Sequence, residues 1–150
     1  MSISEYEKGW CTRILNDMFK WHLTAPFRVP VDPVRDGAEG YYEKIKNPID
    51  LSAIKKKLND NKYITSEQFI DDVRLIHRNA QEFNGDNSMI TYIASDIIKW
   101  LEEQVKTKAA SYDEEWRNKM KCLTEKLNNH MDLNPATWRL SGTKEGERLQ

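Results

Sequence analysis

The sequence predicts an all-α domain: a left-handed four-helix bundle with a long loop between helices 1 and 2, plus an extra helix at the C-terminus. Three observations carry the prediction. Apolar residues recur at helical spacing in four segments, each opened by a capping residue. No segment alternates with period two for long enough to make a strand. The connection between the first two helical segments, 24–47, is far longer than the other two.

The first helix is expected from about Ser4 to about Leu23. Ser4 and Glu7 form a capping box, which satisfies amides that the first turn leaves open. Tyr6, Trp10, Ile14 or Leu15, Met18 and His22 then recur on one face. The connection Thr24 to Asn47 holds Pro26, Pro30, Pro33, Gly37 and Gly40, with Pro48 just beyond. Connections of this length are uncommon in compact domains and tend to be functional. Its apolar members, Phe27, Val29, Val31, Val34, Tyr41, Tyr42 and Ile45, are expected to pack down rather than face solvent.

The second helix is expected over about 50–59, with Asp50 as N-cap and Leu51, Ile54 and Leu58 on one face. Asn61-Lys62-Tyr63 reads as a turn. The third helix starts at Thr65, which forms a capping box with Gln68. Phe69, Val73, Ile76, Ala80 and Phe83 follow at spacings of four, three, four and three. Gly85-Asp86-Asn87 breaks this stripe, and Ser88 caps a fourth helix with Ile90, Ile93, Ile97, Leu101 and Val105 inward. After about Ala110, Ser111 and Glu114 are placed to cap a fifth helix carrying Trp116, Met120, Leu123 and Leu127. Beyond Asp132, Pro135, Gly142, Gly146 and many charges predict a fraying tail, from which Trp138 packs onto the bundle. The expected domains are the bundle over 4–110 and a helical extension with its tail over 111–150.

The totals exclude several function classes. At 150 residues the chain is expected to form one domain with a small appendage, and 39% hydrophobic residues suffice for a core. The apolar runs are only a few residues long, so no membrane span is expected, and the first residues do not read as a signal peptide. Cys11 and Cys122 lie far apart, and His22, His77 and His130 complete no metal-ligand spacing. No metal or cofactor is therefore expected, and a reducing cytosolic or nuclear compartment fits best. A net charge near −1 argues against broad capture of nucleic acid. Lys55-Lys56-Lys57 with Lys62 reads as a solvated face of the second helix. No Gly-rich phosphate loop, nucleophile motif or paired carboxylates in an apolar setting point to an enzyme.

The candidate site comes from two segments. Tyr41-Tyr42-Glu43-Lys44-Ile45-Lys46-Asn47-Pro48-Ile49-Asp50-Leu51 is too aromatic to be idle linker, and Phe83-Asn84 puts an uncharged amide at a helix end. Together they offer a tyrosine and an asparagine to one apolar pocket, which suits a neutral amide ligand better than a charged one. Read locally, Asn84-Gly85 is also an ordinary helix end, and tyrosines in a packed loop are ordinary core rings. These segments, with Ala25-Pro26-Phe27 upstream, closely resemble the bromodomain family, whose members read acetylated lysine. The resemblance covers about residues 5–110. It rests on Pro26-Phe27, Val31-Asp32, Tyr41-Tyr42, the run from Lys46 to Leu51, Tyr63, Phe69, Asn79-Ala80 and Phe83-Asn84.

The resemblance implies the roles. Asn84 falls at the ligand-anchoring asparagine, donating its amide N–H to a ligand carbonyl and accepting an amide proton. Tyr41 reaches the acetyl oxygen through a water, while Tyr42 anchors the loop. Pro26, Phe27 and Val31 line the wall, Ile90 stands at the gatekeeper position, and Phe83 stands where the family often has tyrosine. Two positions depart from the pattern. Ala25 replaces the tryptophan that often precedes Pro-Phe, which lowers one wall and weakens binding by about 1–3 kcal/mol. Gly40 replaces the acidic residue common before the tyrosine pair.

Acetylation makes physical sense as the selected mark. An unmodified ammonium in an apolar pocket costs several kcal/mol, and no carboxylate partner is evident among these residues. The side chain has about eight heavy atoms, which at roughly 0.6 kcal/mol each contribute about 5 kcal/mol. That corresponds to a Kd on the order of 0.1–1 mM, so flanking contacts or a second module are needed. Glu39, Glu43, Glu82 and Asp86 near the rim either attract a basic histone tail or are merely solvated. The expected function is non-enzymatic recognition of acetylated lysine, on histone tails or other acetyl-lysine proteins, by a nuclear module of a larger chromatin-associated protein. The alternative is a helical scaffold whose pocket no longer binds acetyl-lysine.

Overall fold

A computed structural model describes residues 2–133. They form two compact units that divide between Lys108 and Ala109. All regular structure among the described residues is helical.

In the first unit, α1 spans Glu5–Lys20, and Ser4 caps it by accepting the Glu7 N–H at 3.2 Å. The return half of the box is redirected. Glu7 Oε1 instead accepts from Ser66 Oγ (2.8 Å) and Lys108 Nζ (3.2 Å). Tyr6, Trp10, Cys11, Ile14, Leu15 and Met18 are buried. The helix stops before the expected Leu23. Trp21 leaves the helical region at φ −81°, ψ 114°, and His22–Phe27 form a 3-10 turn. Pro26 cannot supply an N–H to a continuing α-helix. The buried Thr24 hydroxyl instead meets the Met18 and Trp21 carbonyls at 2.6 and 2.8 Å. His22 consequently lies exposed, outside the α1 stripe.

The long connection contains one short helix, α2 (Tyr41–Lys44). Phe27, Tyr41 and Ile45 are buried and Val31 is half-buried, but Val29, Val34 and Tyr42 are exposed, contrary to the expectation that all pack down. The local reason at Val34 is a turn. Asp32 Oδ1 accepts the Val34 and Arg35 amides at 3.0 and 3.1 Å, and the turn carries Val34 into solvent. Tyr41, Ile45 and Ala38 make a small cluster of their own, with Val31 and Phe83 against it.

α3 (Leu51–Asn59) is capped by Asp50 and buries Leu51, Ile54 and Leu58. Asn61 turns the chain in the left-handed region, φ 54°, which asparagine tolerates. α4 (Ser66–Asn84) is capped by Thr65 and buries Phe69, Val73, Ile76 and Ala80 along the expected stripe. α5 (Met89–Lys106) is capped by Ser88. Ile97 and Leu101 are buried, Ile90, Ile93 and Val105 are half-buried against the core, and Thr91 and Ala94 take buried positions that the apolar spacing did not single out. Helices α1, α3, α4 and α5 close on one core. Polar pins fix their register: Tyr63 donates to Asp72 at 2.6 Å, Lys57 pairs with the same carboxylate, and Arg74 joins Glu67 and Asp71 of α4 to Glu102 of α5.

The second unit contains α6 (Tyr112–Leu133), where Ser111 accepts the Glu114 N–H at 3.2 Å. Trp116, Met120, Leu123 and Leu127 are exposed on it. The readings of Trp138 and of the tail lie outside the described residues. No helix among the described residues is long and apolar enough to cross a membrane.

Candidate functional site

The end of α4, the start of α5, the 3-10 turn and the long connection enclose a cavity of about 420 Å3. That volume is ordinary for a small-ligand site. Pro26, Phe27, Val31, Tyr41, Phe83, Asn84 and Ile90 all line it, so the structure brings together the seven residues expected to form the pocket, while Tyr42 and the rim acids Glu39, Glu43, Glu82 and Asp86 lie outside its lining. Ala25 also lines it and offers only a methyl group.

Asn84 is the last residue of α4. Gly85 follows with φ 82° and ψ 172°, a conformation essentially confined to glycine, and turns the chain sharply away. The Asn84 side chain is oriented by its own helix, Nδ2 donating to the Ala80 carbonyl at 3.1 Å. One amide proton and the Oδ1 acceptor remain uncommitted among the described residues. Thr91, buried in the first turn of α5, meets the Gly85 carbonyl at 2.7 Å and the Ala80 carbonyl at 3.3 Å. It thus braces the turn that presents Asn84, a role that sequence spacing did not signal.

Tyr41 is 6% exposed and sits edge-on between Tyr42 and Phe83, with ring centroids 5.3 and 5.1 Å away. Burial pushes its phenol up from the ordinary tyrosine value, with Tyr42 and Asp50 adding to the effect. It is a neutral hydroxyl at physiological pH, and it makes no hydrogen bond to the described residues. Tyr42 donates to the Val31 carbonyl at 2.6 Å and so ties two parts of the connection together. Lys44 lies over Phe83, 5.8 Å from the ring centre.

Distant pins hold the connection against the bundle. Ser52 donates to the Arg28 carbonyl, and buried Asn79 donates to the Asn47 carbonyl at 2.8 Å. Arg35 and Asp36 pair at 2.7 and 2.8 Å, and the guanidinium first, with the Asp32 amide, holds the Asp36 carboxyl at about 2. Both residues line the cavity, as does Asp50, which is 8% exposed. The wall is therefore not free of carboxylates, as the sequence reading had it. Asp50 reads from the sequence only as an N-cap, and Asp36 is not singled out there. No group of three or more potential metal ligands occurs among the described residues.

The sequence profile of the bromodomain family matches residues 11–96, more than half of the chain. The chain is 36% identical over 103 residues to an ankyrin repeat, bromo and BTB domain-containing protein of Dictyostelium discoideum, covering 69% of this chain and 13% of that protein. It is 33% identical over 100 residues to the SWR1 complex bromodomain subunit of Schizosaccharomyces pombe, covering 67% and 17%. It is 34% identical over 88 residues to transcription initiation factor TFIID subunit 1 of Caenorhabditis elegans, covering 59% and 5%. The chain spans less than a fifth of the length of each of these relatives. On the strength of the profile match and the helical bundle together, the chain belongs to the bromodomain family.

Proposed function

We propose that the bundle is a non-enzymatic reader that takes an acetylated lysine side chain into the Asn84 cavity. One observation carries the reading. Asn84 and Tyr41 line the same cavity, and each keeps hydrogen-bonding capacity that the described residues do not use. The free Asn84 N–H donates to the acetyl carbonyl, Oδ1 accepts the ligand amide proton, and the Tyr41 hydroxyl reaches the acetyl oxygen through water. Pro26, Phe27, Val31, Phe83 and Ile90 exclude solvent around the aliphatic stem. Ala25 leaves one wall low, so a single mark binds weakly, on the order of 0.1–1 mM, and flanking contacts add the rest.

The relatives include a subunit named for the SWR1 complex and one named for TFIID. We place this bundle accordingly in a larger nuclear, chromatin-associated protein, with acetylated histone tails as its partners. Neither a metal nor a cofactor enters the reading. Binding across an acetylated histone-tail array tests it, comparing wild type with Asn84→Ala. Acetyl-dependent signal lost in the variant is expected. A folded wild type with no acetyl-dependent signal would instead identify a helical scaffold with a degenerate pocket.

A further inference from the structure

A second cleft, about 240 Å3, lies against the Asn84 cavity. The two share Val31, Tyr41, Ile49 and Asp50, and the outer walls of the second are Pro30, Tyr42 and Pro48. Among the described residues, Asp50 is the only charged one in the lining of this cleft.

Asp50 is more than nine-tenths buried, yet only half of its carboxylate is in use. Oδ1 accepts the Ala53 N–H at 3.0 Å as the N-cap of α3. Oδ2 has no hydrogen-bond or ion-pair partner among the described residues. That oxygen is not sealed in the core, so a cation entering the cleft can reach it, and a carboxylate this little exposed is screened less by water than one on the open surface. The surroundings suit a cation as well. Tyr41 and Tyr42 supply rings whose faces attract positive charge, and the Tyr41 hydroxyl has no partner of its own to keep.

We infer that this cleft is a subsite for a primary ammonium group, of the kind carried by an unmodified lysine side chain. A single free carboxylate oxygen favours ammonium over guanidinium. Ammonium is a compact point charge with three donors, whereas the guanidinium fork needs two acceptors side by side. One N–H meets Asp50 Oδ2 and a second meets the Tyr41 hydroxyl. Next to an acetyl-lysine in the Asn84 cavity, the cleft would read a free lysine on the same peptide. That use rests on the acetyl-lysine reading; the ammonium subsite does not.

The test is an amide-resolved NMR titration of the bundle with n-butylammonium chloride, with n-butanol as the neutral counterpart at matched ionic strength. Asp50→Asn is the second arm, because asparagine caps a helix as well as aspartate and removes only the charge. The expected result is saturable shifts of the amides from Tyr41 to Ile54 with butylammonium, absent with butanol and absent in Asp50→Asn. Equal responses to butylammonium and butanol, no response, or a response unchanged in Asp50→Asn would each overturn the subsite. Acetylated peptides carrying lysine or norleucine beside the acetyl-lysine extend the test. Wild type is expected to prefer lysine by about two- to fivefold, and Asp50→Asn to lose the preference. The two claims fail separately. Acetyl-dependent peptide binding with a silent cleft rejects only the subsite, and a responsive cleft without acetyl-dependent binding rejects only the reader.

Discussion

Removing the same hydroxyl from two buried tyrosines should have opposite consequences. Tyr63 is 2% exposed, and its hydroxyl donates to the Asp72 carboxylate at 2.6 Å. Tyr41 is nearly as buried at 6%, but its hydroxyl has no partner among the described residues. A hydrogen bond to a charged acceptor contributes about 1.5–3 kcal/mol. Asp72 keeps Lys57 in either case, so Tyr63→Phe should destabilise the fold at the lower end, by about 1.5 kcal/mol. Tyr41→Phe keeps the ring contacts with Tyr42 and Phe83 and should change stability by less than about 0.5 kcal/mol. Its effect should appear in binding instead. Losing a water-mediated bond of about 0.5–1.5 kcal/mol lowers acetyl-lysine affinity about two- to tenfold. Urea denaturation read by circular dichroism gives the first quantity, and titration with an acetylated peptide gives the second. A Tyr41→Phe protein destabilised by more than about 1 kcal/mol, or one that binds as wild type does, would refute the assignment of a free hydroxyl poised for ligand.

Three further outcomes follow from the same structure. Cys11 is fully buried and its thiol is pushed up to about 12, chiefly by burial, whereas Cys122 is exposed; a thiol reagent should find one reactive cysteine in the native protein and two in denaturant. The Ser66 hydroxyl foremost, with Lys108, holds the Glu7 carboxyl below its ordinary value of 4.5. That contribution is full above about pH 4.5 and is lost as pH falls, so between about pH 5 and 3 wild type should lose more stability than Glu7→Gln. A Cβ added to Gly85 meets nothing within 4 Å, so the φ of 82° alone should make Gly85→Ala destabilising by about 1–3 kcal/mol; an unaffected melting curve would show that the turn after Asn84 is not held as described.

What could be read from the sequence was what is encoded locally. Ser4, Asp50, Thr65 and Ser88 announce helix starts because a cap needs only its own side chain and an amide three residues on. The stripes of α3 and α4 are legible because burial follows the 3.6-residue period. The end of α1 was not, since Trp21 breaks the helix in concert with Thr24, and a stripe that continues through His22 conceals the break. The course of the long connection depends on pins such as Ser52 to Arg28 and Asn79 to Asn47, which join residues far apart in the chain. Asn84 and Tyr41 stood out through family resemblance, because an asparagine at a helix end has several ordinary uses. Thr91 and the second oxygen of Asp50 carried no signal at all, since their roles exist only once the elements are packed.

The most direct test of the central claim is an NMR titration of the protein with one peptide in acetylated and unacetylated forms, repeated with Asn84→Ala. The account predicts saturable shifts at the cavity residues for the acetylated form of the wild type alone, with a Kd on the order of 0.1–1 mM. Equal responses to both forms, or an Asn84→Ala protein that binds the acetylated peptide as wild type does, would contradict it.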